Sequence, residues 1–282
     1  MNFSNFNGKL YPEHAPVIGT DNRGLRYGDG LFETLSYRKN NFILLDAHLQ
    51  RLWDGMKLLK FEIPPLFTKD YMINQLQNLV NKNNHTSARV RLTILRGDGG
   101  LFDPVNLYPN YIIQSYPLNN TPHILNTNGL QLCIFRDAQK ICDLFSNMKH
   151  NNYLPYLMGA MHAKINKCND AIILNQHLRI CDSCIANIFL VKNKIIYTPA
   201  LTEGCVNGIM RQFLMTQLLI LEYQVVETEI TEDELMDADE IFLSNSIHNI
   251  RWVASVHDRN FDNHFTQKLF YLLCKTNVDV FC

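Results

Sequence analysis

A glycine that leads straight into an apolar helix is a natural seat for an anion, and Gly208 stands at such a junction. Residues 204–211 (GCVNGIMR) leave a loop and enter the apolar-periodic run IMRQFLMTQLLILEY. The first turn of a helix carries unpaired N–H groups and the positive end of the helix dipole, so a phosphate is the ligand this junction suits. The plainer reading is that Gly208 only starts a helix, and the stretch by itself favours that one. Upstream, Glu33 falls mid-strand in residues 31–37 (LFETLSY). An acid among apolar residues lies on a solvent face or in a site, and taken alone the solvent face is favoured. Arg51 lies beside an apolar helical stripe and reads, on its own, as a solvated arginine. Lys149 reads likewise as a solvated surface amine. Cys181 and Cys184 have a redox or half-zinc spacing. They lack a second Cys/His pair at finger spacing and any thioredoxin-like surroundings, so they read as buried thiols and no metal site is expected.

The elements that must hold these residues follow from periodicity. Asp46 is placed to cap a helix whose Leu49, Leu52, Trp53, Met56 and Leu59 recur at helical spacing. Residues 68–81 form a second amphipathic helix, with Met72, Ile73, Leu76, Leu79 and Val80 inward. Strands are expected at 31–37, 42–45, 88–95 and 111–116, while 21–27 is polar and loop-like. Lys149 precedes a helical run, 153–165, expected to bury Leu154, Leu157, Met158 and Met161. Further strands fall at 130–135, 171–174, 240–243 and 250–254, and 188–191 pairs with 194–197 as a hairpin turning at Lys192-Asn193. Thr231 and Glu234 have capping-box spacing, and residues 261–274 close the chain as a helix. The segment PLNNTPH, residues 117–123, has linker composition. The expected organisation is therefore a domain over 1–117, a linker over 118–122 and a domain over 123–282. Short strands, mostly hairpin-connected, with helices interspersed suggest α+β layers rather than a regular parallel series.

Composition narrows the partners. With 282 residues, 46% of them hydrophobic, the chain can build a large core or two. A formal net charge of −1 offers no field for nucleic acid or an anionic membrane, so a small-molecule substrate is expected. The segment MNFSNFNGKLYPEH has no basic flank ahead of an apolar core, and no apolar run approaches the roughly 20 residues that span a bilayer. Eight cysteines without a small-protein disulfide framework fit a reducing compartment. A cytoplasmic protein is expected.

Six segments together carry more than any one of them. GLRYGDGLFET (24–34), HLQRL (48–52), RLTILRGDGG (91–100), KHNNYL (149–154), the 181–211 stretch and FLSNS (242–246) resemble, in the same order, the class IV, fold-type IV pyridoxal-phosphate enzymes. That family holds branched-chain aminotransferases, D-amino-acid aminotransferases and 4-amino-4-deoxychorismate lyases. Within it, KHNNYL and VNGIMRQF (206–213) look most like the lyases; aminotransferases more often have threonine where Met210 stands. The resemblance implies a D-amino-acid-aminotransferase-like α+β fold of two α/β domains, the N-terminal one smaller and the C-terminal one larger and barrel-like, in a homodimer. It implies pyridoxal phosphate as cofactor, with Lys149 as Schiff-base lysine and proton shuttle. Arg51, Gly208, the N–H groups of Ile209 and Met210, and Ser246 would serve the phosphate. Asp182, five residues before Asn187, would face the pyridine nitrogen where the family usually has glutamate, one methylene longer. Tyr27, Phe32, Arg26, Arg96 and Asn245 would lie on the substrate side, Arg26 and Arg96 as substitutes for an arginine that many relatives carry where this chain has Leu101-Phe102. The implied reaction is cleavage of 4-amino-4-deoxychorismate, with transamination of D- or branched-chain amino acids as the alternative.

Overall fold

The computed structural model describes residues 2–119 and 124–281. The chain divides into two compact units, Met1–Asn119 with Met148–Asn152, and Asn120–Asn147 with Tyr153–Cys282. The linker expected at 118–122 lies mostly outside the described residues. The short insert Met148–Asn152 groups with the first unit, although the sequence put it in the second domain. The reason is backbone pairing: Phe32 N–H donates to Lys149 C=O (2.9 Å), Asn151 N–H donates to Gly30 C=O (3.0 Å), and Leu31 and His150 form an antiparallel bridge.

In the first unit, β1 (Phe3–Phe6), β2 (Lys9–Pro12), β3 (Gly30–Arg38), β4 (Asn41–Phe42), β5 (Ser87–Arg96) and β6 (Pro109–Pro117) form one antiparallel sheet, ordered β2-β1-β6-β5-β3-β4. Residues 21–27, expected as loop, contain a one-turn helix, α1 (Arg23–Tyr27). The Asn22 side chain caps it by accepting from Gly24 N–H and Leu25 N–H, and Gly28 ends it at φ 66°. Helices α2 (Leu45–Leu58) and α3 (Lys69–Lys82) cover the sheet. Leu31, Leu35 and Tyr37 of β3 pack there with Leu49, Leu52 and Met56 of α2, and with Met72, Leu76 and Leu79 of α3. Asp46 does not cap α2; the helix starts two residues earlier, after Leu44 in a left-handed conformation, and Asp46 lies in the first turn, where its charge still suits the dipole.

The second unit carries β7 (Leu130–Lys140), α4 (Leu154–Ile165), β8 (Asp170–Asn175), β9 (Ile180–Ser183), β10 (Asn187–Lys192), β11 (Ile195–Pro199), α5 (Ile209–Ile220), β12 (Val225–Thr228), α6 (Glu232–Asp237), β13 (Glu240–Asn245), β14 (Asn249–Val256), β15 (Arg259–Asn260) and α7 (His264–Thr276). Its mixed sheet runs β12-β11-β10-β13-β14-β7-β8-β9, with β15 beside β14. The β10–β11 turn falls at Asn193-Lys194, one residue later than the sequence suggested, because both residues take the positive φ (51° and 66°) that a tight hairpin requires. Thr231 and Glu234 form the expected capping box.

Helix α4 differs most from expectation. Leu154, Leu157, Met158, Met161 and Ile165 are 65, 56, 40, 51 and 78% exposed, and the buried residues are Tyr156, Gly159 and Ala163. Gly159 explains the rotation: a methyl there would sit 2.6 Å from Ile173 Cδ1, so α4 approaches β8 through its small residues and turns its large apolar stripe outward. No helix among the described residues is long and apolar enough to cross a membrane.

Candidate active site

In the first unit, Lys149 is held by the backbone bonds to β3 described above, and its Nζ lies 4.6 Å from the centre of the Phe32 ring. The Arg91 guanidinium lies 3.8 Å from the same ring. Gly28, just before β3, and Gly30, its first residue, lie close against this segment. A Cβ on Gly28 would meet Asn152 Oδ1 at 2.3 Å, and one on Gly30 would meet first the Ile94 carbonyl of β5 and then Asn151 Nδ2 at 2.7 Å.

Glu33 is not on a solvent face. Its carboxylate is buried toward α2, where it accepts from Arg51 Nε (2.7 Å) and Nη2 and pairs with His48 Nδ1 (2.7 Å). Burial alone would raise its pKa, but the Arg51 and His48 charges outweigh burial and bring it down to about 2. His48 is pushed down, first by burial, with Arg51 and Lys149 adding to it and Glu33 opposing. Arg51, read alone as solvated, is therefore gripped by a bidentate carboxylate that fixes its guanidinium plane.

The candidate substrate residues of this unit differ in their commitments. Arg96 donates to Asp29 (2.9 Å), to Leu59 C=O (2.6 Å) and to Lys60 C=O (3.3 Å), and lies against the Phe61 ring (4.2 Å). It is a structural arginine. Arg26 makes an exposed ion pair with Asp21 (3.3 Å), and Tyr27 is partly exposed beside Arg23.

In the second unit, β9 places Asp182 in the interior, where burial is the largest influence and raises its pKa. Opposing it are first the Lys140 charge, then the hydrogen bonds that Tyr156 OH (2.7 Å), Val206 N–H (2.9 Å) and Lys140 Nζ (3.5 Å) donate to Oδ2, while Asn187 Nδ2 donates to Oδ1 (2.9 Å). Asn187 spends its second N–H on Val206 C=O (2.8 Å). Its Oδ1 stands 1.9 Å from where a Cβ on Gly208 would be, which is why the residue opening α5 has no side chain. Gly208 offers no side-chain cap, and Ile209 and Met210 of the first turn are buried. Ser246 lies in the turn after β13. Asn245 organises that turn, accepting from Ile247 N–H (3.0 Å) and His248 N–H (2.8 Å) and donating to Ile185 C=O (3.3 Å).

The sequence reading missed Tyr156 and Lys140. Tyr156 is on the buried face of α4, between two residues assigned to the core, and Lys140 lies five residues beyond the expected end of β7. The polar run RDAQK hid that extension; the strand continues through a register irregularity between Phe135 and Lys140.

Residues 30–256 match the family model for amino-transferase class IV. The chain belongs to the class IV aminotransferases. It is 28% identical over 260 residues to a Methanocaldococcus jannaschii protein that carries the provisional name branched-chain-amino-acid aminotransferase, covering 91% of this chain and 88% of that one. It is 27% identical to aminodeoxychorismate lyase of Vibrio harveyi, covering 86% and 88%. Among solved structures it superimposes on branched-chain aminotransferase from Thermoproteus uzoniensis with TM-score 0.87 at 22% identity, covering 96% and 94%. The α+β fold is thus that of the fold-type IV enzymes, and pyridoxal phosphate is the family's cofactor. The chain's own donor set suits it on two counts. Asp182 Oδ1 accepts from Asn187 Nδ2, which leaves the carboxylate an acceptor position for a protonated ring nitrogen. Helix α5 begins in the interior without a side-chain cap, which suits a phosphate at its first-turn N–H groups.

Proposed function

We propose that this chain is a pyridoxal-phosphate lyase that converts 4-amino-4-deoxychorismate to 4-aminobenzoate and pyruvate, a step of folate synthesis. The observation that carries the reading is the seating of Lys149-His150-Asn151-Asn152 on β3 against Gly28 and Gly30, in a chain whose KHNNYL and VNGIMRQF segments resemble those of the lyases. Lys149 would hold the cofactor. Arg51, fixed by Glu33, would bind the phosphate together with the N–H groups of Ile209 and Met210, the open backbone at Gly208 and the Ser246 hydroxyl. Asp182, steadied by Asn187, would hold the ring nitrogen protonated. Bound there, the cofactor supplies an electron sink. Lys149 removes the proton from the amine-bearing carbon of the substrate ring. Once the C–O bond to the enolpyruvyl group breaks, it returns a proton to the departing enol, and the ring left behind is aromatic. Tyr27, Phe32 and Asn245 remain on the substrate side. For the substrate carboxylates Arg26 is the better candidate, because Arg96 is committed to Asp29 and two carbonyls.

Transamination of branched-chain or D-amino acids is the second reading, favoured by the relative from Methanocaldococcus jannaschii. It uses Lys149 and Asp182 equally and differs in what leaves. Supplying aminodeoxychorismate, and separately a panel of L- and D-amino acids with 2-oxoglutarate, distinguishes them. Equal amounts of 4-aminobenzoate and pyruvate are expected; amino-group exchange with no 4-aminobenzoate formed would overturn the lyase in favour of the aminotransferase. We further infer a homodimer, from the outward apolar stripe of α4, and a cytoplasmic location, because the seven described cysteines are all free thiols.

A further inference from the structure

Lys140 and Tyr156 enclose Asp182 without any part in the chemistry given above. Lys140 ends β7 with its side chain only 7% exposed, and Tyr156 of α4 is 4% exposed. The ammonium is fixed on three sides: Ser146 C=O accepts from it at 3.0 Å, Asp182 Oδ2 lies 3.5 Å away, and the Tyr156 ring centre is at 5.2 Å. Burying a charged amine is costly unless it is paired, and its ionic partner here is Asp182. The reverse dependence is stronger. An aspartate so deeply buried tends toward its neutral acid, and a neutral acid cannot hold a pyridine nitrogen in its protonated form.

The other titratable groups around the pair do not supply the missing charge. Cys181, Cys205 and Cys142 all have thiols pushed up by burial, which leaves them neutral. Tyr156 is pushed up by burial and by Asp182, so it stays a hydroxyl donor. Arg211, which bears on Cys205, is paired with Glu227, and Glu203 is paired with Arg179. Lys140 is a cation of the same unit that faces the carboxylate directly.

We propose that Lys140 is a positioning residue for the cofactor ring: its ammonium, with the Tyr156 hydroxyl, keeps Asp182 an anion, so that a carboxylate one methylene shorter than glutamate still holds the pyridine nitrogen protonated. The proposal rests on the reading of Asp182 under Proposed function. A merely structural role is the competitor, since Lys140 also ties the 141–147 loop through Ser146.

The two separate by ligand. Full-length wild type, Lys140→Gln, Lys140→Arg and Tyr156→Phe are stripped of cofactor and titrated with pyridoxal phosphate and with its 1-deaza analogue, in which carbon replaces the ring nitrogen. Lys140→Gln keeps a donor for Ser146 but not the charge. It is expected to weaken pyridoxal phosphate by about tenfold or more, the scale of a hydrogen bond to a charged group, and to leave the analogue nearly unaffected. Lys140→Arg is expected to restore the difference, and Tyr156→Phe to reduce it in the same direction. Equal weakening of both ligands by Lys140→Gln, or of neither, overturns the proposal. The wild type tests it without any variant: it must itself prefer pyridoxal phosphate to the analogue, and equal affinity also overturns it. Wild type that binds neither ligand contradicts the cofactor site as a whole, a different result from either.

Discussion

Gly208 and Glu33 show how far a residue's role depends on a neighbour that is distant in sequence. A methyl on Gly208 would need the space held by Asn187 Oδ1, and Asn187 is pinned by Asp182 and Val206. Gly208→Ala is therefore expected to cost about 1–3 kcal/mol, the usual range for overpacking a well-filled site, read as a lowered midpoint in thermal denaturation. An unchanged midpoint would show that Asn187 can yield. For Glu33 the sign follows from a folded pKa of about 2 against an ordinary 4.5. A carboxyl depressed by folding stabilises above its unfolded pKa, and that stability is lost as pH falls from about 4.5 toward 2. The shift corresponds to roughly 3 kcal/mol as an upper figure. Urea titrations between pH 2 and 6 should show a steep fall for wild type across this window and a flatter one for Glu33→Gln. Parallel curves would mean that Glu33 does not titrate with unfolding. Neither role was legible locally. Glu33 alternates correctly within its strand, but only the crossing of α2 over β3 brings His48 and Arg51, three residues apart on one helical face, onto its carboxylate.

The elements were the more legible scale, with failures of two kinds. Apolar spacing located α2, α3, α4, α5 and α7 and most strands, since burying one face of a helix or strand imposes its period on the sequence. Periodicity does not say what covers that face. The stripe Leu154, Leu157, Met158, Met161 and Ile165 reads as core, yet it faces outward because Gly159 and Ala163 take the inner side of α4. If that stripe is the surface that meets a second copy, then Leu157→Glu places a charge within it at little cost to the folded chain. Light scattering after size exclusion should give a dimer for wild type and a monomer for Leu157→Glu, with circular dichroism unchanged. A wild-type monomer, or a Leu157→Glu dimer, would rule out α4 as the contact. Strand β7 failed differently: its apolar run ends at Phe135, and the register irregularity that carries it to Lys140 has no sequence signature.

Across the whole molecule, the order of six short segments was enough to indicate the family, and four of them are held by a physical constraint rather than by composition. Gly28 and Gly30 make room for Asn152 and Asn151, Gly208 makes room for Asn187, and Glu33 fixes Arg51. The segment Met148–Asn152 was harder to assign, since it belongs by backbone pairing to the first unit while its flanks belong to the second. Everything proposed about the chemistry depends on the lysine in that segment. The most direct measurement is borohydride reduction of the purified full-length protein loaded with pyridoxal phosphate, followed by peptide mass mapping, with Lys149→Ala alongside. One stable cofactor adduct on Lys149 is expected in wild type, and none in Lys149→Ala. An adduct on another lysine, or undiminished trapping in Lys149→Ala, would contradict the account.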